Sequence, residues 1–103
     1  ASINTQAFYA AESGAQAAMS VLFGSNDNRA EVDINCTNVQ SQSYNVEGLS
    51  NCIAATTCVC VDENNLVCSA AALYSFYTIS STGACGVADV SSNRTVQVSA
   101  FMQ

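Results

Sequence analysis

The 103-residue chain contains no histidine, no lysine and no proline. Without histidine or lysine, neither the Ser-His-Asp and Cys-His arrangements nor Ser-Lys chemistry can be assembled. A pair of carboxylates for sugar hydrolysis is formally available, but a domain this small leaves little room for the cleft, and no enzymatic activity is expected. Arg29 and Arg94 are the only cations against eight carboxylates, and the resulting net charge of −6 repels phosphate backbones and anionic lipid surfaces. Nucleic acid is therefore disfavoured as a partner, and so is peripheral membrane binding. No stretch approaches the roughly 20 apolar residues of a membrane span, and no signal-peptide pattern is read within these residues. The absence of proline, with half the residues apolar and only 10% charged, argues against long-range disorder. A single domain with a modest core is expected over residues 1–103.

What the chain does have is six cysteines, at positions 36, 52, 58, 60, 68 and 85. An even number, all outside the opening segment, reads as three disulfides made in an oxidising compartment. Zinc fits poorly, because its sites favour Cys-x-x-Cys knuckles and this chain offers Cys58-Val-Cys60 and no histidine. A thioredoxin-like role would need two intervening residues and a following helix. No metal or other cofactor is expected. Cys60 and Cys68 flank a turn that can set them opposite each other, and Cys36–Cys52 with Cys58–Cys85 complete the preferred set.

Ala1 to Phe23 reads as one helix, already under way at residue 1 without a capping residue or an acid in the first turn. Ala7, Ala10, Ala11, Gly14, Ala15, Ala17 and Ala18 recur at spacings of three and four, a face that lets a neighbouring helix approach closely. The chain is thus expected to be the soluble part of something longer, preceded by an apolar anchor. Gly24 to Asn28 favours a turn and ends the helix. Glu31 to Cys36 alternates and is a short strand candidate, with Val32, Ile34 and Cys36 on one face. Ser41 to Asn51 reads as a loop with a weak strand at Tyr44 to Val46. Thr57 to Asp62 is a better strand, with Cys58 and Cys60 on one face and Val59 and Val61 on the other, and Glu63 to Asn65 turns the chain back toward Leu66 to Cys68. Leu73 to Ser80 and Arg94 to Met102 are the clearest strands. The residues between them, Thr82 to Gly86 and Asp89 to Asn93, read as turns.

A long amphipathic helix followed by an antiparallel sheet is an α+β arrangement, helix 1–23 on a disulfide-stapled β-rich region 24–103. A helix of about 23 residues is roughly 35 Å long, and strands of five to nine residues span only about 17 to 30 Å. The sheet is therefore expected to cover only the helix's second half, leaving Ile3, Ala7, Phe8 and Ala10 for another partner.

Gln6-Ala7-Phe8-Tyr9-Ala10-Ala11-Glu12-Ser13-Gly14-Ala15 resembles the helix motif of minor pilins of type IV pili and type II secretion pseudopili, especially those of the mannose-sensitive haemagglutinin pilus. Arg94-Thr95-Val96-Gln97-Val98 is similar to a late strand of that family. The resemblance implies a pilin-like fold and a structural role: a subunit that enters a pilus through its helix and primes or supports assembly, at the tip or within the shaft. It also implies other pilin subunits as partners. An apolar stem would hold the protein in the inner membrane, facing the periplasm, before it joins the extracellular fibre. The expected assembly interface is Ala7, Phe8, Ala10, Ala11, Glu12, Gly14 and Ala18.

Several residues carry two readings. Glu12 is either a solvated helix position or a buried partner for a cation on a neighbouring subunit, since an unpaired buried carboxylate is costly. Phe8 and Tyr9 pack either on the chain's own sheet or on a neighbouring helix. Asn26 to Asn28 and Asp62 to Asn65 are oxygen-rich but lack EF-hand spacing and read as turns. The sequons at Asn35 and Asn93 are coincidental in the bacterial setting the resemblance implies. The alternative function is an extracellular, disulfide-rich adhesin or binding module, using Tyr44, Tyr74, Tyr77 and the Ser41 to Asn51 loop to recognise a surface ligand.

Overall fold

The computed structural model describes residues 2–24, 28–44, 51–87 and 90–103. Helix α1 spans Ile3–Phe23 and α2 spans Arg29–Thr37, followed by strands β1 (Gln42–Tyr44), β2 (Cys52–Asp62), β3 (Ser75–Val87) and β4 (Val90–Met102). The strands form one antiparallel sheet in the order β1-β2-β3-β4, with α1 lying across β3, β4 and β2. The α+β arrangement read from the sequence is therefore observed. Among the described residues no helix is long and apolar enough to cross a membrane.

α1 has a start signal after all. Ser2 is its N-cap, its hydroxyl accepting the Thr5 N–H at 3.2 Å, so within these residues the helix begins at Ile3. The expected strand at Glu31 to Cys36 is also corrected, to helix α2. Asn28 caps it by accepting the Glu31 N–H at 3.0 Å, with Glu31 itself in the first turn, where an acid suits the helix dipole. Val32 and Cys36 are four apart and buried on one helical face, whereas Ile34 is 60% exposed on another. Three apolar residues at alternate positions could not distinguish the two periods.

The sheet is longer than the sequence suggested. β3 and β4 have 13 residues each and run through Thr82 to Gly86 and Ser91 to Asn93, which were expected as turns. β1 meets the weak strand expected at Tyr44 to Val46 only at Tyr44; residues 45–50 of the 41–51 loop, Val46 among them, lie outside the described residues, as does Asp89. Thirteen residues span about 43 Å, against about 32 Å for the 21 residues of α1. The strands therefore reach the helix's first turns. Gly83 makes this possible: a Cβ there would lie 2.1 Å from the Ala7 carbonyl oxygen and 2.5 Å from the Ala11 nitrogen.

The core has two centres. One gathers Ala18, Leu22, Val32, Cys36, Tyr77 and Ile79; the other gathers Ala7, Ala10 and the Cys52–Cys85 pair, with Ile3 against it. Between them Gly14 sits against Ala54, Thr56 and Ser81. All six cysteines are paired, as Cys36–Cys58, Cys52–Cys85 and Cys60–Cys68. The Cys60–Cys68 expectation holds, and the other two are corrected. Cys85 lies on β3 directly opposite Cys52, whereas Cys58 faces Ile79 in the same register and is left to staple α2 through Cys36.

Candidate functional site

The small-residue face of α1 is occupied by the chain's own sheet. Ala7, Ala10 and Ala11 have no exposed surface, Ala18 has 2%, and Gly14 is buried. A Cβ on Gly14 would stand 2.5 Å from the Ala54 Cβ and 2.6 Å from the Ser81 oxygen. In this fold these five expected interface residues are small because the helix rests on strands. The chain's own strands cover them, Ala7 and Ala10 included, and Ile3 is half-buried against the Cys52–Cys85 cluster.

Phe8 and Glu12 are placed differently. Phe8 is 43% and Tyr9 52% exposed, their ring centroids 6.0 Å apart, and Glu12 is half-buried. Phe8 and Tyr9 line an open groove of about 280 Å³ with Asn4, Thr5 and Arg94. The Ser92 hydroxyl donates to Asn4 Oδ1 at the same end of β4. The Arg94 guanidinium makes no hydrogen bond or ion pair with any described residue.

At the opposite end of the sheet, the chain between β2 and β3 is braced. Asp62 Oδ1 accepts the N–H groups of Asn64 and Leu66 at 2.8 and 2.9 Å, which makes this oxygen-rich segment a turn. The Glu63 carboxylate accepts from the Leu73 and Tyr74 amides. Its own backbone N–H, then that of Leu73, hold its pKa below the usual carboxylate value. Arg29 reaches over from α2: Nη1 donates to the Ser69 carbonyl and the Ser75 hydroxyl at 3.1 Å, and Nη2 donates to the Ala72 carbonyl at 2.6 Å. The Cys60–Cys68 disulfide closes the segment. Held in this frame, Leu66, Val67 and Leu73 point into solvent, near the stacked Phe76–Phe101 pair on the outer face of the sheet.

Beneath the brace, Arg29 also pairs with Asp33 at 3.6 Å, and the Tyr77 hydroxyl donates to Asp33 Oδ1 at 2.6 Å. Burial first, and then this hydrogen bond to a carboxylate, push the Tyr77 pKa up to about 12. Tyr77 is thus a core residue and not part of a recognition surface. Asp33, Cys60 and Cys68 converge, but both sulfurs are committed to a disulfide and offer no thiolate to a metal. Sequence reasoning missed this network. Its signal was available only in the Arg29/Asp33 spacing of four, which means something once the segment is known to be helical.

No family model, no curated protein and no solved structure matches this chain.

Proposed function

We propose that the chain is a structural subunit of a bacterial type IV pilus, of the minor-pilin type. It would join the fibre through its N-terminal helix and prime or support assembly, with no catalytic step of its own. The observation that carries this reading is the two-sided helix. The Ala7/Ala10/Ala11/Gly14/Ala18 side rests on the sheet, while Phe8, Tyr9 and Val21 remain about half exposed on a helix that bears the minor-pilin-like motif. The interface with other pilin subunits is accordingly assigned to Phe8, Tyr9 and the flank at Glu12. Three disulfides suit the periplasm and the extracellular fibre.

The test is to count surface pili in the native host carrying Phe8→Asp and Tyr9→Asp in the full-length gene, with circular dichroism confirming that the purified variants fold. Reduced piliation with a folded variant is expected. Normal piliation in a strain lacking the gene would remove the assembly role. An extracellular binding module is the second reading, and the braced loop with its exposed Leu66, Val67 and Leu73 favours it. Binding of the purified domain to whole cells, lost in Val67→Asp, would support that reading.

A further inference from the structure

The sheet is unfinished at one edge. β1, at one side, is three residues long, and a short edge strand is a common protection against unwanted pairing. β4, at the other side, has 13 residues, all paired to β3 along one edge; among the described residues nothing pairs with the other. Residues 90–102 contain no proline, no lysine, no glycine and no carboxylate, and Arg94 is the single charge. Apart from Arg94, a charge on the helix-facing side opposite Gly83, the usual devices that blunt an open edge are missing.

The burial pattern points the same way. On β3 every helix-facing residue, from Ser75 to Cys85 at alternate positions, is buried. On β4 none is: Val96, Val98, Ala100 and Met102 are half-buried and Arg94 is exposed. α1 covers these residues from above, and the missing cover is lateral, where a next strand would lie.

We propose that β4 pairs antiparallel with β4 of a second copy of this chain, giving a two-fold dimer with a continuous sheet. The strand is self-complementary about Gln97. That centre sets Val96 against Val98 of the second copy on the helix-covered face, and Thr95 against Ser99 on the outer face, each pair occurring twice. Arg94 falls opposite Ala100, so no like charges meet, and at the dyad two neutral Gln97 amides face each other. None of the described carboxylates lies on β3 or β4, so the paired strands bring no negative charge to the seam, and Glu12, one helical turn after Phe8, is the acid on that side of α1. Phe8 is exposed beside Arg94, which this register sets opposite Ala100 of the second copy. The pairing is independent of the pilus reading.

Sedimentation velocity across a concentration series tests it, with Gln97→Lys, Gln97→Glu and their equimolar mixture. Gln97 is exposed and its side chain donates only to the Ser80 hydroxyl on the surface, so both variants are expected to keep the fold, which circular dichroism checks. The wild-type chain is expected to dimerise, and each variant alone should dissociate at least about tenfold more readily because like charges meet at the dyad. The mixture should recover the wild-type affinity, a result that pairing with any other strand would not produce. Thr57→Lys, exposed on the outer face of β2, should leave the dimer unchanged. A wild-type chain that stays monomeric throughout, or a dimer indifferent to the charge at position 97, overturns the proposal.

Discussion

Single atoms decide how close α1 can lie to the sheet. Gly14 and Gly83 are the two positions where a Cβ would meet the opposing layer, and Gly83 would strike helix backbone, which cannot swing aside. Gly14→Leu is therefore expected to destabilise the domain by about 1 to 3 kcal/mol or more through overpacking, read as a lower midpoint in urea. Phe8→Asp, on the exposed side, should leave that midpoint nearly unchanged. Tyr77 gives a second residue-scale expectation. Its pKa is raised in the fold from 10.0 to about 12, so folding favours the protonated phenol. The stability this contributes is complete below pH 10 and is lost as pH rises toward 12. A tyrosinate absorbance titration should contain a component near pH 12 that disappears in Tyr77→Phe.

Among elements, the one misread outright was α2. Its cap at Asn28 and acid at Glu31 are visible in the sequence, yet three apolar residues at alternate positions read equally well as a strand. What settles the matter is the partner: Val32 and Cys36 bury against the sheet through Cys58 and Tyr77, leaving Ile34 outside. The braced segment between β2 and β3 follows from the same placement, because Arg29 reaches it only from a helix. Arg29→Ala should loosen residues 69–75 while β2 and β3 persist, seen as faster amide exchange confined to that stretch. Removing the Cys60–Cys68 bridge, with a sequence separation of 8, is expected to cost about 2.5 kcal/mol in the chain-entropy model. The double serine variant should also become sensitive to protease in the segment it closes.

For the whole molecule, the disulfides tie α2 to β2, β2 to β3, and the inter-strand segment to β2. Bridges with separations of 22 and 33 contribute about 3.5 kcal/mol each on the same model. Together the three rival the total stability of an ordinary domain, about 5 to 15 kcal/mol. Reduction in mild denaturant should therefore unfold the chain cooperatively, and thiol titration before reduction should find no free cysteine.

The sequence by itself determined the class and much of the periphery. An alanine-rich helix, strictly alternating 94–102, the cysteine parity and the Cys60–Cys68 hairpin spacing are local signals, and each is present in the structure. Tertiary structure decided the rest. The strands extend through glycine-bearing segments that looked like turns because α1 lies directly on Gly83, a contact between residues more than seventy positions apart. That extension carries Cys85 opposite Cys52 and so sets the disulfide pairing. It also buries the small-residue face. A stripe of alanines says only that something approaches closely, and whether that is the chain's own sheet or a neighbour depends on strand length, which no local pattern encodes.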